Sequence, residues 1–304
     1  LIVQKRAGLL TLLFTMRGSV IPRVFPQMVL LALFSSAIVF VYQYHTFDLP
    51  EFSLTPFTLL GIALSLFLGF RNNAAYDRWW EGRKIWGHLI YETRSIARAT
   101  ELLLMPEDAR RHLLTLVAAF SHALCQGVRP GSDSGPAIAN LLGARKTAEL
   151  LACSSPADAI LREISAIITA EYHAKRLDTV AVSMLDRHLT QFAGIQAGIE
   201  RLSNTPLPFA FTLLAHRTAY IYCFLLPLGL VGNALWLTPF FTTLVAYCFF
   251  GLDALSEELE YPFTKEGANH LPLEAMCRVN EISIAEALGD IPPKPLHPIK
   301  HVLS

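Results

Sequence analysis

Positions without formal charge are gathered into long runs rather than spread evenly along the chain. Val24–Phe47 covers 24 residues with no Asp, Glu, Lys or Arg, and Phe52–Phe70 covers 19. Leu202–His216 is a weaker run of 15, and Thr218–Leu252 extends to 35. A helix needs about 20 apolar residues to cross roughly 30 Å of hydrocarbon. The longest run exceeds one straight crossing, and Asn233 followed by Pro239 marks a turn inside it. The pattern predicts four transmembrane helices, at about 26–45, 53–70, 217–235 and 238–253.

Between the second and third runs the pattern changes. Arg71–Arg217 holds 17 basic and 14 acidic residues, and its apolar positions recur at helical spacing. Asn73–Leu104 carries Trp79, Trp80, Trp86, Leu89, Ile90, Ile96 and Leu103 in this way. Arg129-Pro-Gly-Ser-Asp-Ser-Gly-Pro136 reads as a loop. Ser155-Pro-Ala-Asp158 starts a helix with Pro in its first turn, and Ala159–Arg201 continues as one long amphipathic pattern. No alternating stretch asks for a strand. The expected fold class is all-α, a membrane bundle with a large helical extension (71–216 and 254–304), in a single domain over 1–304.

Composition agrees. The chain is 53% hydrophobic and only 16% charged, against about 25% charged in an ordinary soluble domain. The high hydrophobic share excludes a disordered chain, and the balance of Lys+Arg and Asp+Glu at 25 each excludes a general polyanion binder. Cys125, Cys153, Cys223, Cys248 and Cys277 form no C-x-x-C pair, so neither a disulfide framework nor a zinc ribbon is expected.

Basic residues set the orientation. Lys5, Arg6, Arg17 and Arg23 precede the first run, and Arg71, Arg78, Arg83, Lys84, Arg94 and Arg98 follow the second. The connector at Asp48-Leu-Pro-Glu51 and the turn at Asn233 carry no Lys or Arg. Both termini and the middle region are therefore expected in the cytoplasm, with the chain crossing a membrane several times. Gly8–Met16 is too short for a signal peptide and reads as an interfacial helix. A chain that opens on Leu1 is expected to lack its natural start.

The cores of the spans contain no ionisable residue, which argues against a coupled transporter or a membrane-embedded enzyme. Four apolar helices cannot enclose a polar path, so a path would lie on the axis of a symmetric oligomer. Ile62, Leu66 and Phe70 fall on one face of the second span. Gly61, Ser65 and Gly69 form an adjacent face of small residues. The apolar stripe is what a dewetting pore neck requires, and equally what a lipid-facing surface shows. Continuing it by threes and fours reaches Asn73 and Asp77. Rings of these groups would favour cations; alternatively, Asp77 pairs with a nearby Arg.

The segment Gly69-Phe-Arg-Asn-Asn-Ala-Ala-Tyr-Asp-Arg-Trp-Trp-Glu-Gly-Arg-Lys-Ile-Trp-Gly87 resembles the bacterial branch of the bestrophin family. Glu257-Glu-Leu-Glu-Tyr-Pro-Phe263, followed by Leu271-Pro-Leu-Glu274, resembles the family's second signature. The resemblance implies a homopentameric ion channel in a lipid bilayer, with one axial pore narrowed by Ile62, Leu66 and Phe70. It places a second, cytoplasmic constriction within Leu177-Asp-Thr-Val180, formed by Val180 and Leu177. Animal members conduct anions and open with calcium held by consecutive acids after the Pro-Phe element. Here Thr264-Lys-Glu-Gly-Ala-Asn-His270 offers one acid, whereas calcium wants six to eight oxygens. No calcium activation is expected, and bacterial relatives point to passage of monovalent cations, sodium among them.

Other features carry less. His297 and His301, and His122 with Cys125, are pairs where zinc needs three or four ligands. Ser121 and His122 are adjacent on a helix and point about 100° apart. No phosphate loop, G-x-S-x-G or H-E-x-x-H occurs, so no catalytic residue, cofactor or metal is expected. An anion-selective channel, a transporter and a non-conducting membrane scaffold stand as the alternative readings.

Overall fold

Proline marks most of the helix starts. The structure, a computed structural model, describes residues 8, 15–16, 18–44, 52–265, 267, 269–298 and 303. Helix α1 is Ile21–Gln43, with Pro22 in its first turn. Helix α2 is Leu54–Leu102, 49 residues without a break. Then follow α3 (Glu107–Val128), α4 (Ser134–Leu142), α5 (Ala144–Leu151), α6 (Pro156–His173) and α7 (Thr179–Asn204). The last helices are α8 (Phe209–Ala234), α9 (Thr238–Glu260) and α10 (Leu273–Ala287). Pro106, Pro208 and Pro272 stand at the N-caps of α3, α8 and α10. Among the described residues there is no strand, as the all-α reading expects.

Three stretches are long and apolar enough to cross a membrane: Ile21–Gln43, Leu54–Leu102 and Phe209–Glu260. The third is α8 and α9 joined by a 3₁₀ turn at Leu235–Leu237, where Leu235 takes a φ of 42°. Pro239 in the first turn of α9 restarts the helix at that point. Helix α8 begins earlier than the predicted 217 because a single charge, Arg217, does not end a helix; the charge-free run measured apolar length, and Pro208 sets the start.

Two expectations for the middle region are corrected. The pattern over Ala159–Arg201 is two helices, because Lys175 is left-handed (φ 60°) and the Asp178 side chain caps α7, accepting from the Ala181 amide at 2.7 Å. The predicted loop to Pro136 ends sooner, since Gly135 and Pro136 lie in the first turn of α4, where a missing N–H costs nothing. Most of Gly8–Met16, the connector at 48–51, and Lys5, Arg6 and Arg17 lie outside the described residues.

The described chain forms two compact units, one within Lys5–Trp79 and Pro206–Tyr261, the other within Trp80–Thr205 and Pro262–Ser304. In the first, the apolar unit, α1 packs on α8 and α9 around Leu31, Leu68, Leu226 and Phe250. Its outer surface is also apolar, with Leu33, Leu59, Phe209 and Phe240 exposed. Contiguous exposed apolar surface on this scale marks contact with lipid or with another protein. Two glycines allow close approach inside it. A Cβ on Gly61 would stand 2.6 Å from the Tyr222 hydroxyl, and one on Gly229 would stand 2.6 Å from the Phe57 ring. At the turn end, the Trp236 indole donates to Gln43 Oε1 at 2.5 Å.

The second, polar unit is organised around α3, which packs against α4, α6, α7 and α10. Trp86, Leu113, Phe120, Ile160 and Phe192 are fully buried there, and the Phe120 and Phe192 rings meet edge to face at 5.4 Å.

Gly229→Val should force the Phe57 ring aside, since overpacking a filled core costs about 1–3 kcal/mol. A lower unfolding temperature of the purified protein in detergent is expected, with Gly69→Ala as the neutral control because a Cβ there meets nothing within 4 Å.

Candidate ion pathway

Helix α2 has two unlike faces in the apolar unit. Leu64, Leu68, Arg71 and Ala75, spaced by four, three and four, are buried. Ile62, Leu66 and Phe70 lie on another face and are 55%, 59% and 71% exposed. Asn73 and Asp77 continue that face and are exposed. Asp77 makes no ion pair among the described residues, so the alternative of a pairing Arg finds no partner there. The small-residue face divides: Gly61 admits Tyr222, while Gly69 has open space and the exposed Ser65 hydroxyl turns back to the Ile62 carbonyl at 2.8 Å.

The buried face carries a polar cluster that hydrophobic patterning did not single out. Arg71, directly after Phe70, has its guanidinium buried. It pairs with Asp253 of α9, lies 3.8 Å from Glu260, and donates to the Thr212 hydroxyl at 3.4 Å. Asp253 also meets His216 Nδ1 at 2.9 Å. Arg78 donates to the Glu260 carbonyl at 3.2 Å, and Arg23 pairs with Glu257 at 2.5 Å. A usable signal was present in the sequence: Arg71 is the first charge after one apolar run, and Asp253 the first after another. Charges at such borders need partners, because burying one alone is prohibitive.

In the polar unit, Leu177 and Val180 have different places. Leu177 is buried (4% exposed), whereas Val180, in the first turn of α7, is 67% exposed. Of the two, only Val180 leaves its side chain exposed. The turn before them is fixed by Arg176, which binds Glu171 through two nitrogens at 2.5 and 2.8 Å and holds that carboxyl below the usual carboxylate range.

The two sequence signatures meet in this unit. A Cβ on Gly82 would stand 3.2 Å from both Phe263 and Leu271. The carbonyls of Phe263 and Leu271 accept from Arg129 at 2.8 and 2.9 Å. In the segment that follows Phe263, Lys265 pairs with Glu274 at 2.7 Å and His270 contacts the Gly267 carbonyl at 3.0 Å. Glu266 and Ala268 lie outside the described residues.

The histidine and serine pairs are engaged otherwise. His122 binds Glu281, and the Ser121 hydroxyl accepts from Asn280 at 2.7 Å. His301 lies outside the described residues, and among those described no three side chains form a metal-binding group.

With an exposed apolar stripe backed by a buried ion cluster and with the two signatures packed together, the comparisons with known proteins fall into line. The sequence profile described as bacterial/fungal bestrophin protein matches residues 1–286. The chain belongs to that family. A voltage-dependent anion channel-forming protein of Mesorhizobium japonicum is 48% identical over 97% of this bestrophin and 95% of its own length. The voltage-dependent anion channel-forming protein YneE of Escherichia coli is 36% identical over 94% and 93%. The crystal structure of a bacterial bestrophin homologue from Klebsiella pneumoniae matches with a TM-score of 0.83 at 36% identity, covering 88% of this chain and 100% of that one.

The buried pair gives a test of this bestrophin's architecture. Arg71→Met or Asp253→Leu alone should destabilise by about 3–5 kcal/mol, the cost of stranding one buried charge. The double variant should lose clearly less than the sum of the two, read as unfolding midpoints of detergent-solubilised protein.

Proposed function

We propose that this bestrophin is the subunit of a passive ion channel, a homopentamer with one axial pore. Four crossings of a bacterial inner membrane, with both termini in the cytoplasm, complete the proposal, and 1–304 acts as one channel domain. The observation that carries it is the exposure of Ile62, Leu66 and Phe70 on a helix whose opposite face is buried. Five copies would close these side chains into an apolar neck that opens and shuts by wetting. Val180 would form a second ring. The curated relatives' names, which describe channel-forming proteins, support a channel over a scaffold or a transporter.

For selectivity, we favour monovalent cations, sodium among them, because Asn73 and Asp77 continue the exposed face and Asp77 has no ion-pair partner among the described residues. The second reading is anion conduction, favoured by the word anion in those same names. Purified protein in a planar bilayer under a sodium chloride gradient separates them. A reversal potential near the sodium equilibrium value supports the cation reading, and one near the chloride value replaces it.

Two variants test the mechanism. Replacing Ile62, Leu66 and Phe70 together with Ala should raise single-channel conductance or open probability several-fold. Unchanged currents from an intact oligomer would remove the neck from the mechanism, and silence even with the neck widened would favour the scaffold. Asp77→Asn should shift the reversal potential toward chloride; an identical potential would take Asp77 out of the selectivity ring.

A further inference from the structure

One sector of helix α2 stays exposed well past Asp77. At about 100° per residue, Ile62, Leu66, Phe70, Asn73 and Asp77 fall within roughly 80° around the helix. The helix continues without a break, and Lys84, Tyr91 and Arg98, seven residues apart, return to the same sector. All three are exposed. The formal charges of the sector are thus Asp77 first, then Lys84 and Arg98.

Neither cation is neutralised nearby. Lys84 makes no ion pair among the described residues, nor does Arg98, which donates to the Ser95 hydroxyl at 3.2 Å. The acids on the same length of helix lie outside the sector and are engaged. Glu81 pairs with Arg201, Glu92 with His188 at 2.9 Å, and Glu101 with Arg110 at 3.5 Å. His88, at the edge of the sector, stands 3.4 Å from the Glu92 carboxylate. A helix face that only meets water commonly interleaves the two signs; this one separates them. At 1.5 Å per residue, Lys84 lies about 10 Å beyond Asp77, and Arg98 about 21 Å beyond Lys84. Screening acts over about 10 Å in 0.1 M salt, so the charges of opposite sign govern separate zones.

We propose that Lys84 and Arg98 are further selectivity-determining residues of the ion path, forming two positive rings beyond the negative ring of Asp77. This rests on the pentameric reading above, in which five copies would turn the sector toward one axis. Carboxylate rings favour cations, whereas rings of Lys and Arg favour small anions such as chloride. The fixed charge therefore changes sign along the path, and the path rectifies. When voltage drives cations from the Phe70 end toward the Arg98 end, each ion enters through the zone of opposite charge. Both kinds then gather between the rings. Under the reverse voltage both are drawn out, the middle is depleted and current falls. That direction holds whichever ion carries most of the current.

The test is current–voltage recording of the full chain in planar bilayers, in symmetric sodium chloride and again under a gradient. In salt of about 0.1 M, unmodified protein should rectify in that direction, and less so toward 1 M, where screening shrinks to about 3 Å. Lys84→Gln with Arg98→Gln should straighten the curve and shift the reversal potential toward the sodium equilibrium value. Lys84→Cys, with the exposed Cys153 and Cys248 replaced by Ser, should lose part of the rectification. Attaching a 2-aminoethyl group to that sulfur should restore it, and a 2-sulfonatoethyl group should not. Straight curves from unmodified protein would overturn the proposal, as would a reversal potential that the double variant leaves unchanged. The Ala-substituted neck is recorded alongside. If widening it changes the currents and the charge variants do not, the rings fail while the channel stands; if neither changes them, both readings fall. If the Gln variants do not assemble, the two thiol reagents on Lys84→Cys decide alone.

Discussion

Arg71 places a full positive charge at one margin of an apolar bundle, where an unpaired ion would cost several kcal/mol. Asp253 and Glu260 supply the compensation, and both come from α9, about 180 residues further along the chain by the order of the fold. Once that pairing forms, the register of α2 against α9 is set, because sliding either helix by a residue separates the charges. The stripe of Leu64, Leu68, Arg71 and Ala75 is thereby committed to the interior. Ile62, Leu66 and Phe70 are left to face outward. The exposed stripe owes its direction to a salt bridge that it never touches.

The polar unit achieves rigidity by a different route. Its central helix, α3, meets α10 through several mixed contacts rather than a purely aliphatic seam: Ser121 with Asn280, His122 with Glu281, and Cys277 with a backbone carbonyl. Such contacts are specific in register, since each donor has one acceptor within reach. Arg129 extends the arrangement to the segment before α10 by holding two carbonyls with one planar group. The fully buried Phe120 and Phe192 fill volume in the same unit.

How far the chain could be read in advance depended on whether the relevant forces were local. Charge-free runs located the apolar helices because crossing hydrocarbon needs length, a property of consecutive residues. The exposed apolar stripe was legible from spacing alone, since Ile62, Leu66 and Phe70 are each one turn apart. The ion cluster was not, because which acid meets Arg71 is decided by packing between distant helices. The break before α7 was hidden by an amphipathic pattern that runs on through it; the left-handed Lys175 and the cap at Asp178 are conformational facts that periodicity does not record. That break also explains why Leu177 and Val180, three residues apart, divide between core and surface: one precedes the cap and the other follows it.

The depth of the apolar unit is bounded by groups of opposite taste. At one end the Trp236 indole is tied to Gln43 beside the 3₁₀ turn, and at the other Arg71 and Asp253 are locked together. At 1.5 Å per residue the 26 residues of α8 rise about 39 Å and the 23 of α9 about 34 Å, while their charge-free parts, Thr218–Ala234 and Thr238–Leu252, rise only about 26 and 22 Å. A hydrocarbon layer of roughly 30 Å would reach past Arg217 and Asp253, so a membrane of shorter acyl chains would hold those charges at its margin with less strain.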